Sequence, residues 1–245
     1  MRLFPPTPGS SGRGEGREDG KRGGNPLLGF FFMALTIALA ALSYNAFSGG
    51  SDRGRDAALE RAGRAIPGEF SPLRLEASES GGRIRLRATL RDLEGGEICV
   101  LERGLAGSSL AIDCWLVRAG PAAGAPAPHY VVFPRAIYSD AVPLSSGAAL
   151  LESYDRGGFP ALYDGAPAGA SPLADDERKA LSWVFRALEK GGTGQGLPRD
   201  IASITTRCTI LIPVPGATAA WDIAFRSSGE AVLKAAAAEK AAPAQ

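Results

Sequence analysis

LRLEASESGGRIRLRATL, residues 73–90, keeps a period of two over almost its whole length. Leu73, Leu75 and Ala77 alternate with Arg74, Glu76 and Ser78, and Ile84, Leu86, Ala88 and Leu90 alternate with Arg85, Arg87 and Thr89. Such alternation puts every apolar side chain on one face of an extended strand. Ser80-Gly81-Gly82 separates the two runs and supplies residues that tolerate a tight turn, so the segment predicts a β-hairpin. Its arginines mark a solvent face. A sheet covered on one side only is the habit of antiparallel pairing.

Toward the C-terminus the same test is repeated with varying clarity. In Glu94–Ala106, Ile98, Leu101 and Leu105 have helical spacing, which predicts a short helix although Gly95, Gly96 and Gly104 weaken it. Residues 109–118, SLAIDCWLVR, read as a strand with Leu110, Ile112, Cys114 and Leu116 on one face. Asp113 and Trp115 share the other face, where the tryptophan is expected to pack against a second element. A Pro/Ala loop at 119–128 precedes a strand from His129 to Ile137, in which Pro134 requires an edge or a bulge. Ala148–Tyr154 predicts another short strand, and the glycines and prolines from Gly157 to Gly169 write a long irregular loop.

The clearest helix runs from Leu173 to Lys190. Ser171-Pro172 and the acidic turn Asp175, Asp176, Glu177 open it, Gly191-Gly192 close it, and Leu181, Val184, Phe185 and Leu188 form its apolar stripe. This stripe is the natural cover for the sheet. A final hairpin is expected to join Ile201–Pro213 to Ala217–Arg226 through Pro215-Gly216. Strands in hairpins outnumber helices, which predicts an α+β domain over residues 67–229, an antiparallel β-sheet with one packing helix. Residues 230–245 are Ala-rich and read as a flexible tail with at most one or two helical turns.

Upstream the text changes character. Residues 1–25 mix Pro, Gly, Arg and Glu with almost nothing that enters a core, the composition of a disordered tail. Residues 27–47, LLGFFFMALTIALAALSYNAF, then carry no charge, and about 20 apolar residues suffice to cross a hydrocarbon core of roughly 30 Å. Pro26 suits a first helical turn, and Tyr44 and Phe47 stand where interfacial aromatics belong. The reading is a single transmembrane helix over 26–48, contacting the lipid bilayer through 27–47, with residues 49–66 as a juxtamembrane stalk. Three alternatives compete: a cleaved signal peptide, disfavoured by its 25-residue leader, a lipoprotein, excluded because no cysteine follows the apolar stretch, and a buried core helix, disfavoured by its being apolar all round.

Basic residues close to the membrane on the short tail place that tail in the cytoplasm and the large domain outside it, at the inner (cytoplasmic) membrane. Only five of the 27 basic residues are lysines, and Ala and Gly abound, a pattern of GC-rich coding that points to a bacterium. The 27 basic residues nearly cancel 26 acids, so no long-range field exists to gather nucleic acid.

Chemistry leaves few marks. The single histidine, His129, excludes a three-histidine zinc site, and there is neither HExxH nor GxSxG. No metal or other cofactor is called for. The glycine run 191–196, GGTGQG, follows a helix and lacks GKS or GKT, so it reads as a helix stop. Cys99, Cys114 and Cys208 have no metal or redox spacing. Outside the cytoplasm Cys114 and Cys208, both in strand-like runs, are the preferred disulfide pair; otherwise all three are small buried apolar residues. The repeated neighbourhood of Tyr138 with Asp140, Tyr154 with Asp155 and Tyr163 with Asp164, on irregular segments, is the candidate binding surface. The expectation is a non-enzymatic, membrane-anchored module that binds or scaffolds an envelope protein. An envelope hydrolase using paired carboxylates on a cell-wall or sugar substrate is the alternative.

Overall fold

The computed structural model describes residues 53–120, 128–167, 169–191 and 197–237. In chain order these are helix α1 over residues 53–65, then strands β1 (Glu69–Ser80), β2 (Arg83–Arg91), β3 (Glu97–Ala106), β4 (Ser109–Ala119) and β5 (His129–Ser139). Next come the short β6 (Ala148–Ala149), β7 (Asp155–Arg156) and β8 (Phe159–Pro160), with 3-10 turns at Leu144–Ser146, Leu151–Tyr154 and Ala161–Tyr163. Helices α2 (Asp175–Gly191) and α3 (Arg199–Ile204) precede β9 (Thr205–Pro213), β10 (Ala219–Arg226) and β11 (Ala231–Ala236). The domain is an antiparallel β structure with few helices: one sheet ordered β11-β10-β1-β2-β3, a second ordered β6-β5-β4-β9, and a small β7-β8 ribbon.

The hairpin of β1 and β2 forms in the register the alternation implies, from Leu73 opposite Leu90 to Ser80 opposite Arg83. Gly81 and Gly82 take φ of 59° and 75°, the left-handed pair that a two-residue turn needs to match strand twist. Leu73, Leu75 and Ala77 are buried, as are Ile84, Leu86, Ala88 and Leu90, and all seven join one apolar core with Leu110, Ile112 and Leu116 of β4. Unlike these strands, β4 is buried on both faces, Ala111 and Val117 as fully as Ile112 and Cys114. Central position in a covered sheet explains the near-continuous apolar run.

Helix α2 brings the expected stripe inward: Leu181, Val184, Phe185 and Leu188 are all fully buried. Phe185 stacks on Phe133 of β5 at 6.0 Å between centroids and meets Tyr154 at 5.5 Å, so the helix covers the β4–β5 sheet. The flank of β5 is open where β6, paired only at Ala136 and Ile137, does not reach. There Tyr163 Oη accepts from Val132 N at 2.9 Å and donates to Val132 O, and Tyr154 Oη donates to Pro134 O at 2.8 Å. Two phenols thus finish a strand edge that would otherwise bury unpaired backbone groups.

Five expectations are corrected. Residues 97–106 are strand, not helix: Gly95, at φ 83°, and Gly96 serve a turn in which Asp92 Oδ1 accepts from Glu94 N and Gly96 N, and the free edge of β2 then captures β3. Of Ala148–Tyr154 only two residues are strand, and the rest tightens into a 3-10 turn that buries Tyr154. Residues 201–226 are not a hairpin, because β9 pairs with β4 and β10 pairs with β1 in the other sheet. Pro213 and Pro215 have no N–H to give to a ladder, so the connection crosses between sheets, held by Glu79 N to Pro215 O at 3.0 Å and Val214 N to Ser108 O at 3.2 Å. The supposed stalk contributes to the core, since Ala58, Leu59 and Ala62 of α1 are buried at 3% exposure or less. The Ala-rich end is a strand through Ala236: an isolated helix of that length is marginal in water, while β10 offers a full edge.

The tail 1–25, the apolar run 27–47, most of the loop 119–128 and the glycines 192–196 lie outside the described residues. Among the described residues no helix is long and apolar enough to cross a membrane.

Candidate functional site

The structure gives five of the six Tyr/Asp candidates contacts within the domain and does not gather the six on one surface. Tyr154 and Tyr163 are buried with their hydroxyls on β5, and burial raises both phenols well above their ordinary range. Tyr138 is half-buried near the end of β5. Asp140 accepts Ser108 N at 2.8 Å, Ser109 N at 3.2 Å and Ser108 Oγ at 2.9 Å, and these donors hold its carboxyl below the usual 3.8. It ties down the corner where the chain passes from β3 into β4, and Gly107 at φ 121° leaves space for it. Asp155 accepts Gly158 N at 2.6 Å in the β7–β8 turn. Asp164 receives Arg178 of α2 at 2.9 Å, while Arg186 donates to Gly157 O at 3.1 Å, so the irregular loop is clamped to α2.

A second charged cluster lies on β4. Asp113 is fully buried and faces Arg207 Nη2 at 2.9 Å and Arg135 Nη1 at 3.3 Å. Both guanidinium groups approach the ring of Trp115, at 5.4 Å from Arg135 and 5.8 Å from Arg207. Arg135 is the residue left over by the bulge opposite Asp113 and Cys114, the irregularity that Pro134 demanded. The arrangement stitches β5, β4 and β9 together. A carboxylate removed from water in this way costs desolvation that only close cations offset.

The concave surface lies elsewhere, where α1, α2 and α3 meet the end of β4. A groove of about 490 Å³ is lined by Arg53, Asp56, Glu60, Arg118, Trp183 and Asp200, among others. Trp183 is half-buried, with Arg55 Cζ 4.4 Å from its ring centroid, and Arg61 bridges α1 to Asp176 and to Glu177 at 3.5 Å. Trp183 also lines a second recess of about 480 Å³, with Lys179, Arg186 and Lys190. Sequence reasoning overlooked these residues because α1 was assigned to a stalk. The available signal was Trp183 itself, an aromatic just off the apolar stripe of α2.

His129 starts β5 with its Nδ1 buried and without a hydrogen-bond partner among the described residues. Cys114 and Cys208 are free thiols directly opposite one another on β4 and β9. Burial raises both, and their mutual proximity raises Cys114 further. No protein family, no curated protein and no solved structure matches the chain.

Proposed function

We propose that the chain is a membrane-anchored, extracytoplasmic module of the bacterial envelope that binds a protein partner in the groove between α1, α2 and α3. The observation that carries this reading is the groove's make-up: a half-buried tryptophan ringed by charges of both signs, Arg53, Asp56, Glu60, Arg118 and Asp200. Protein recognition favours an aromatic anchor with a polar rim. Helix α1 begins six residues after the apolar run 27–47, so one wall of this groove is the part of the domain nearest that run in sequence. A partner held there would be concentrated beside the bilayer, which raises its effective concentration without further contacts.

The test is a photo-crosslinking residue at Ser203, in the groove, compared with one at Tyr138, in cells expressing the full chain. Envelope proteins are expected to crosslink at 203 and to be lost on Trp183→Ala; crosslinks that survive the substitution, or that arise equally from 138, overturn the groove. Carbonate extraction of the same cells should leave the chain in the membrane pellet, and recovery in the wash overturns the anchor.

One feature favours the hydrolase alternative. Asp56 and Glu60 are four residues apart on α1, share a helix face and both line the groove, so two carboxylates border one recess as paired-carboxylate catalysis requires, with Glu60 also held by Arg64. Turnover of a cell-wall glycan that disappears in Glu60→Gln would replace the binding reading.

A further inference from the structure

We propose that Cys114 and Cys208 are a built disulfide site, closed by a disulfide donor of the envelope, which staples the edge strand β9 to the centre of its sheet. The proposal rests on the extracytoplasmic reading for its setting and on the β4–β9 register for its geometry. The two cysteines are exact partners in that ladder, with Asp113 opposite Thr209 on one side and Trp115 opposite Arg207 on the other. Directly opposed residues point to the same face, and their Cα atoms are about 4.5 or 5.5 Å apart depending on the hydrogen-bonding phase. Either value falls in the roughly 4.4–6.8 Å range of Cα separations that disulfides span. Cys99 is not a competitor, because it lies opposite Leu90 in the other sheet.

The order of events follows from exposure. Cys114 is fully buried, while Cys208 is half-buried on β9, the outermost strand of its sheet. The Cys208 thiolate attacks one sulfur of the donor disulfide; that S–S bond breaks and one donor thiol leaves. Cys114 then loses its proton and its sulfur attacks Cys208 Sγ, expelling the second donor thiol. Two electrons and two protons pass from the protein thiols to the donor. Because both thiols titrate above their ordinary range, closure is slow near neutral pH and accelerates as pH rises toward the Cys208 transition.

The bond would do what the exposed strand lacks. β9 keeps only Ile212 fully buried and leaves Leu211 73% exposed, so its attachment rests on the ladder and on Arg207 reaching Asp113. Linking 114 to 208 also closes a loop of 94 residues, about half of the domain, which removes freedom from the unfolded chain.

The full chain, purified in detergent, is incubated with oxidised glutathione, denatured, alkylated and weighed intact. The oxidised chain is expected to melt, before denaturation, several degrees above the reduced chain, and after alkylation to carry one alkyl group, on Cys99, and so to weigh less than the reduced chain, which carries three. Both the mass loss and the melting shift are absent in Cys208→Ser, a half-buried and tolerant position. Three alkylated thiols after oxidation, or a stable glutathione adduct on Cys208, overturn the proposal. Acid-quenching cells before alkylation tests the setting separately: a pair that closes in the tube yet is fully reduced in cells removes the extracytoplasmic reading and leaves the site intact.

Discussion

At the residue scale the same carboxylate chemistry serves three different ends, and surroundings decide which. Asp113, inside the protein, is tolerable only because two guanidinium groups lie within 3.3 Å. Asp164 is a clamp, and Asp140 is an exposed organiser of a corner through three donors on Ser108 and Ser109. The lowered acid transition of Asp140 fixes the sign of its pH dependence. Its contribution is complete above the unfolded value of 3.8 and is lost as pH falls through the lower folded value. Asp140→Asn is therefore expected to melt below the parent at pH 7, with the gap closing in strong acid; thermal scans from pH 7 to pH 2 check this. A gap independent of pH would mean that shape, not charge, holds the corner.

At the element scale β5 shows how an edge is managed without another long strand. Val132 turns its N–H and C=O away from β4, and one phenol satisfies both. Tyr163 is wedged between Phe70 at 5.9 Å and Phe133 at 5.8 Å, so its hydroxyl is held where the backbone needs it. Tyr163→Phe keeps this packing and orphans two buried backbone groups. The expected loss is about 1–3 kcal/mol in urea unfolding with an unchanged slope. A neutral outcome would show that water or a backbone shift replaces the phenol. Tyr154 and Tyr163, two members of the candidate binding surface, thus complete the edge of β5.

At the scale of the whole molecule, α1 is a packed part of the domain and not a linker that precedes it. Ala58, Leu59 and Ala62 are buried, and Gly63 passes so close to Ala119 that an added Cβ would stand 2.6 Å from that residue's own. Leu59→Ala is expected to cost about 2–5 kcal/mol of global stability, measured by denaturant unfolding, because a buried leucine is exchanged for a cavity. A free stalk would lose almost nothing. The two crossings between sheets, at Gly107–Ser108 and at Val214–Pro215, lie side by side and join the sheets at one corner. That corner is where Asp140 acts.

Reading along the chain determined whatever depends on near neighbours: the β1–β2 hairpin with its glycine pair, the span and stripe of α2, the restriction at Pro134 to an edge or a bulge, and the charge-free run 27–47. Period and turn chemistry are local, so a single sequence displays them. Only the tertiary structure decided the rest. Residues 97–106 have helical spacing, yet β2 presented an unpaired edge; 201–226 look like a hairpin, yet two prolines sent the strands to different sheets. Tyr154 and Tyr163 sit among turn residues, and whether such a side chain faces water or strand is set by partners distant in sequence. Cys114 and Cys208 were paired on the character of their strands alone; their alignment depends on a register 94 residues apart along the chain, which long-range packing fixes.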